Sequence, residues 1–129
     1  MIAIDTNIIV RFLTRDDEEQ YKKAYQIFAD SKQLFIPTTV ILETEWVLRF
    51  SYKFPIERIV FALSGLLKLN NVNTENKSAV INALQWHQQG MDFADALHLA
   101  SSLHTDKFLS FDKKFIKKAI NIGINIIEP

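Results

Sequence analysis

The chain has no cysteine. Disulfides and thiolate metal sites are therefore excluded, and a cytoplasmic setting is the simplest expectation. Glycine and proline are scarce, three of each, which argues against a linker or a disordered tract. Net charge is missing too, since 15 basic side chains balance 15 acidic ones. A nonspecific duplex binder is usually basic, so composition lends no support to avid nucleic-acid binding, although a local site with a local basic rim stays open. No apolar run approaches the ~18–20 residues of a membrane span. The start, Met1-Ile-Ala-Ile-Asp5, lacks the basic region of a signal peptide and meets an acid at once.

What is present is apolar mass. Hydrophobic residues make up 48% of 129 positions, enough for one real core in a chain the size of one domain. No repeat, low-complexity tract or boundary is visible, so a single domain over 1–129 is expected.

Met1–Ile4 is a short apolar run of the kind that forms a buried parallel strand. Thr6 and Asn7 then offer cap chemistry for a short helix over 8–13. Asp16–Glu19 suits the acidic first turn of a second helix, with Tyr21, Ala24, Tyr25 and Phe28 at helical spacing. Leu34–Ile36 reads as a strand closed by Pro37, and Thr38-Thr39 caps a helix to about Tyr52. Pro55 opens a helix over 56–69. A turn at 70–74 has room for a short strand. Helices follow over 74–89, stopped by Gly90, and over 93–104. Strands at 107–111 and 124–127 flank a last helix over 113–121. Strands alternating with helices predict an α/β fold around a parallel sheet of about four or five strands. Ligands of such sheets bind beyond the carboxyl ends of the strands, which is where Asp5 and Asp112 fall.

Four acids stand out: Asp5, Glu43, Asp95 and Asp112. Each has an ordinary reading. Asp5 and Asp112 suit helix caps, and Asp92 with Asp95, at i and i+3, suits a cap and a first-turn acid. Glu43 is different. At ~100° per residue, Val40, Trp46, Val47 and Phe50 lie within about 60° of it, so it sits in the apolar stripe of its helix. A buried carboxylate there needs a cation, a proton or a base, with Arg11 and Arg49 as the candidate bases. Glu45, nearly opposite, reads as a solvated acid. Caps explain each aspartate singly. The set together is what a hard-cation site requires, since Mg²⁺ and Mn²⁺ take oxygen ligands and act on phosphate esters.

The blocks Ile4-Asp-Thr-Asn7, Glu43 with Trp46-Val-Leu48, Asp92-Phe-Ala-Asp-Ala-Leu-His-Leu-Ala100 and Ser110-Phe-Asp-Lys113 occur in one order in a short chain. In this the sequence resembles the PIN-domain ribonucleases, specifically the VapC-type toxins of bacterial type II toxin–antitoxin systems. The resemblance implies a three-layer α/β/α sandwich with a small, mainly parallel sheet. It implies a divalent-metal endoribonuclease with Asp5, Glu43, Asp95 and Asp112 as the catalytic and metal-binding quartet. Asp92 would be an auxiliary metal acid, and Thr6, Asn7 and Ser110 supporting polar residues. One or two Mg²⁺ or Mn²⁺ ions would activate water for attack on RNA. A cognate VapB-like antitoxin and a homodimer are implied as partners.

Lys113 and Lys114, right after Asp112, are candidates for RNA phosphate contact, against the plainer reading of a solvated helix face. The ten phenylalanines read as mostly core, and no base-stacking signature stands out. His87, His98 and His104 form no recognisable zinc set, and His98 and His104 read as packing or surface residues. Two other classes compete with a nuclease. One is a non-catalytic α/β binding module whose acids are structural caps. The other is a Mg-dependent phosphotransfer domain, weakened by Asn7 standing two residues after Asp5 where a phosphatase wants an acid, and by Pro37-Thr38-Thr39 after the second strand.

Overall fold

Ile2–Ala3 (β1), Leu34–Phe35 (β2) and Val72–Asn73 (β3) make a parallel sheet in the order β1-β2-β3. Ile2 pairs with Leu34, and Leu34 with Val72. The register follows burial. Leu34 in the central strand β2 is wholly buried, as apolar β-formers there favour, and so are Ile36 just after it and Val72 in β3. β1 is an end strand, and Ile2 is 56% exposed. The expected buried first strand is thus buried only at Ile4, whereas Val72 in β3, the other end strand, is wholly buried.

The computed structural model describes residues 1–129, and the chain divides into two units, Met1–Lys77 and Ser78–Pro129. In the first unit the strands are linked by helices α1 (Thr6–Thr14), α2 (Glu18–Asp30), α3 (Thr38–Phe50) and α4 (Ile56–Leu67). α1 starts earlier than the sequence suggests. Asp5 is its cap, and Thr6 and Asn7 are already helical. α2 is capped by Asp17, whose carboxylate accepts from Gln20 N at 3.0 Å, with Glu18 and Glu19 at the positive end of the dipole. Phe12 and Phe28 stack at 4.3 Å between these two helices. Arg15 ends α1 in the left-handed region, φ 54°.

The second unit carries α5 (Lys77–Gln88, which begins on the last residue of the first unit), α6 (Phe93–Ala100) and α7 (Lys113–Asn121). α5 ends in a Schellman motif: Gly90 N donates to His87 O at 3.0 Å and Met91 N to Trp86 O at 3.1 Å. Gly90 has φ +110°, which a side chain rarely tolerates. α6 stops at Ala100, short of the expected 104. The Ser102 hydroxyl turns back onto His98 O at 2.8 Å and Thr105 onto Ser102 O at 2.6 Å, local bonds that compete with the helix. The two late strands shrink to one parallel bridge, Leu109 with Ile127. Phe93, Ala96, Leu84 and Leu99 are among the buried side chains here. Seven helices with parallel pairing throughout make the α/β class that the alternation predicts.

Candidate functional site

Two of the quartet acids belong to the first unit. Asp5 leaves β1 in extended conformation (φ −94°, ψ 169°) and accepts from Thr6 N at 2.8 Å. Thr6 is buried, 5% exposed, and its hydroxyl donates to Glu43 Oε1 on α3. One threonine thus holds both carboxylates, Asp5 through its backbone and Glu43 through its side chain. Asn7 is exposed and lines an open groove of about 340 Å³ with Ile8, Arg11, Gln20, Lys23 and Ala24.

The environment of Glu43 reverses the expectation. Glu43 is exposed, and the stripe it shares with Trp46 and Phe50 faces outward, those two rings being 51% and 47% exposed. The buried face of α3 is Ile41, Thr44, Glu45 and Leu48. Glu45, expected in solvent, is 1% exposed and takes Arg49 Nε at 2.7 Å. The reason is that α3 is apolar on two sides. A helical net finds both stripes and cannot say which meets the core. Neither candidate base goes to Glu43. Arg11 pairs with Asp16 at 3.0 Å, and Arg49 with Glu45.

The second unit holds Asp92, Asp95 and Asp112. Asp92 caps α6 and accepts from Asp95 N at 3.0 Å. Asp112 caps α7 and accepts from Phe115 N at 3.1 Å, while its own N–H donates to Ser110 Oγ at 3.0 Å. Asp95 is half-buried. Burial holds its carboxyl above the usual range, and the charges of Asp92 and Asp112 add to that rise, against a smaller opposing effect of His98. Lys113 and Lys114 are exposed on the first turn of α7. His98 and His104 are exposed. His87 is buried, with Nδ1 2.7 Å from Met91 O and its ring 5.3 Å from Phe93. It is a packing residue of the α5 end.

Sequence reasoning missed two features. Thr6 as a link between two acids carries no sequence signal, because the contact spans distant elements. Phe111, given no role of its own by the sequence reading, is 75% exposed. Strand alternation could have found it, since Phe108 points inward onto Phe115 at 5.6 Å and residue 111 falls on the opposite face.

The donor set is all oxygen, and the ion pairs of the chain (Arg11–Asp16, Arg15–Glu18, Arg49–Glu45) take none of these acids. No three His, Asp or Glu side chains stand together as a ready-made cage. Oxygen donors are the kind a magnesium-like ion takes, and here they are not brought together as one set.

No helix is long and apolar enough to cross a membrane. The VapC ribonuclease of Aquifex aeolicus (strain VF5) is 28% identical over 137 residues, covering 100% of this chain and 97% of that protein. A family model, described as PIN domain, matches residues 2–121 and so runs through both units. With nearly the whole chain matched, and its acids on the strand-to-helix turns and helices just described, this protein belongs to the PIN domain family.

Proposed function

We propose that the chain is a divalent-metal-dependent endoribonuclease, the toxin of a toxin–antitoxin pair, with Asp5, Glu43, Asp95 and Asp112 as its catalytic and metal-binding acids and Asp92 as an auxiliary one. The observation that carries this is Asp95. A half-buried carboxylate on α6 feels the charges of Asp92 and Asp112, with no ion pair to lysine or arginine. A chain gains nothing in stability from that arrangement, and perturbed acids of this kind mark functional sites. Support also comes from the full-length similarity to a VapC ribonuclease.

When bound, a divalent ion supplies positive charge for the phosphodiester and lowers the pKa of the attacking water. Mg²⁺ and Mn²⁺ both suit an oxygen donor set, as one ion or two. The protein's own part is placement. Thr6 fixes the Glu43 carboxylate by its hydroxyl and Asp5 by its N–H. Ser110 orients the turn that presents Asp112. The N-terminus of α6 steadies the Asp92 and Asp95 charges. These carboxylates also accept from water and so orient it. Lys113 and Lys114, exposed just after Asp112, would draw the RNA phosphates.

In this reading residues 1–129 act as one domain, since a single family model spans both units. A VapB-like antitoxin and a second copy of the chain are its partners, in the cytoplasm.

The test is incubation of purified, partner-free protein with total cellular RNA, with Mg²⁺, Mn²⁺ or EDTA, beside Asp95→Asn. Discrete metal-dependent fragments that vanish in the variant are expected. Cleavage that survives Asp95→Asn would overturn the site assignment, and no cleavage of any RNA by folded protein would overturn the activity.

A further inference from the structure

We infer that Phe111 is a base-stacking residue that seats an unpaired nucleobase beside the acids, with Lys113 and Lys114 holding the adjoining phosphates. This rests on the ribonuclease reading and deepens it, by naming single-stranded RNA as the form of substrate and one side chain as its anchor.

Phe111 lies on the outward face of the extended segment that ends at Asp112. Leu109, two residues earlier on the same face, is 56% exposed, and Phe111 is 75% exposed. On the inward face, Phe108 meets the buried Phe115. The segment is pinned on both sides of Phe111. Ser110 N donates to Ile127 O at 3.1 Å, and Asp112 is held by Ser110 and by the first turn of α7. The ring is thus offered to solvent by a fixed backbone.

An aromatic ring left in water forfeits the burial that would reward it inside the core. Single exposed rings are common, and Phe61 is 82% exposed; what sets Phe111 apart is its neighbours. Asp112 follows it directly, and Lys113 and Lys114 are exposed on the next helical turn. Aromatic faces combined with nearby cations are how proteins hold single-stranded nucleic acid, by stacking on the base and pairing with the phosphates.

The experiment measures binding of fluorescein-labelled single-stranded oligoadenylate to the full chain carrying Asp95→Asn, by anisotropy, with Phe111 or with its Ala, Leu or Trp replacement. Steady-state cleavage of an RNA that the unaltered protein cuts is measured in the same Phe111 variants with Asp95 intact. Phe111→Ala is expected to weaken binding roughly ten-fold or more and to raise KM more than it lowers kcat. Phe111→Trp is expected to restore both, and Phe111→Leu to behave like alanine, because an aliphatic chain fills space without stacking. Unchanged binding in Phe111→Ala, or full rescue by leucine, would overturn the inference. So would a change in the mass of the protein in solution with RNA binding intact, which would make the ring a contact between copies. Failure of the ribonuclease reading itself looks different: the unaltered protein would cleave nothing.

Discussion

The Thr6 hydroxyl donates to Glu43 Oε1, tying the first turn of α1 to the middle of α3. The bond joins a buried donor to an exposed acid. Thr6→Val removes it at nearly constant volume. The expected outcome is a loss of about 1 kcal/mol in unfolding free energy and a drop in cleavage rate larger than that loss explains, because Glu43 is then free to turn. Thr6→Ser keeps the hydroxyl and should retain most activity. Denaturant melts and cleavage rates of the two variants check this, and equal rates in both would refute it.

Glu43 and Glu45 make a second contrast. Glu45→Ala strands the Arg49 guanidinium beside the core. Arg49 is about one-third exposed, so the expected cost is discounted to roughly 2 kcal/mol, or a fall in Tm of about 6–10 °C. Glu43→Gln should leave Tm nearly unchanged and abolish cleavage. Thermal melts set beside RNA cleavage separate the two, and the reverse pattern would mean that the roles are exchanged.

Asp95 carries a third prediction, in which function and stability oppose each other. Its folded pKa lies above the ordinary 3.8 because of burial and the neighbouring Asp92 and Asp112. The folded state therefore holds the proton more tightly, and stability from this group rises as pH falls through the raised value and is forfeited at neutral pH. In EDTA at neutral pH, Asp95→Asn should melt above the unaltered protein, and the gap should shrink as pH falls through the raised value and Asp95 itself becomes neutral. Added Mg²⁺ or Mn²⁺ should raise the Tm of the unaltered protein more than that of the variant. A variant that melts lower in EDTA would contradict the prediction.

Acid should act in the opposite sense at Asp16. Tyr52 Oη donates to its carboxylate at 2.6 Å, Thr14 donates at 3.0 Å and Arg11 at 3.0 Å, and these hold its pKa below the ordinary 3.8 against some desolvation. Stability from these bonds is present above 3.8 and lost as pH falls from there through the lower folded value. Tyr52→Phe should flatten that acid limb of the stability curve. Urea titrations at a series of acid pH values measure it, and an unchanged slope would remove Asp16 from the account.

Much of this was legible in the residues. α7 runs over 113–121 as its spacing predicts, and Gly90 stops α5 where a lone glycine after a helical pattern should. Asp92 with Asp95 could be placed on one helix start because i, i+3 spacing is local. α3 was not legible in the same way. Its outward stripe is the more apolar of its two faces in sequence, and only tertiary packing decides that Ile41 and Leu48 go in while Trp46 and Phe50 stay out. The Thr6–Glu43 bond was hidden for a like reason, since hydroxyl partners far along the chain leave no periodic trace. The late strands looked longer than a single bridge because apolar runs report burial, not ladder length.

Asp5, Asp92 and Asp112 are also the residues that start α1, α6 and α7. Alanine at any of these sites would delete a charge and fray a helix together, leaving a dead variant ambiguous. Asparagine keeps the accepting oxygen and caps as well as aspartate. The isosteric amide series therefore separates chemistry from scaffolding at three positions. The same economy limits drift, since only a residue that both caps and carries charge satisfies either demand without failing the other.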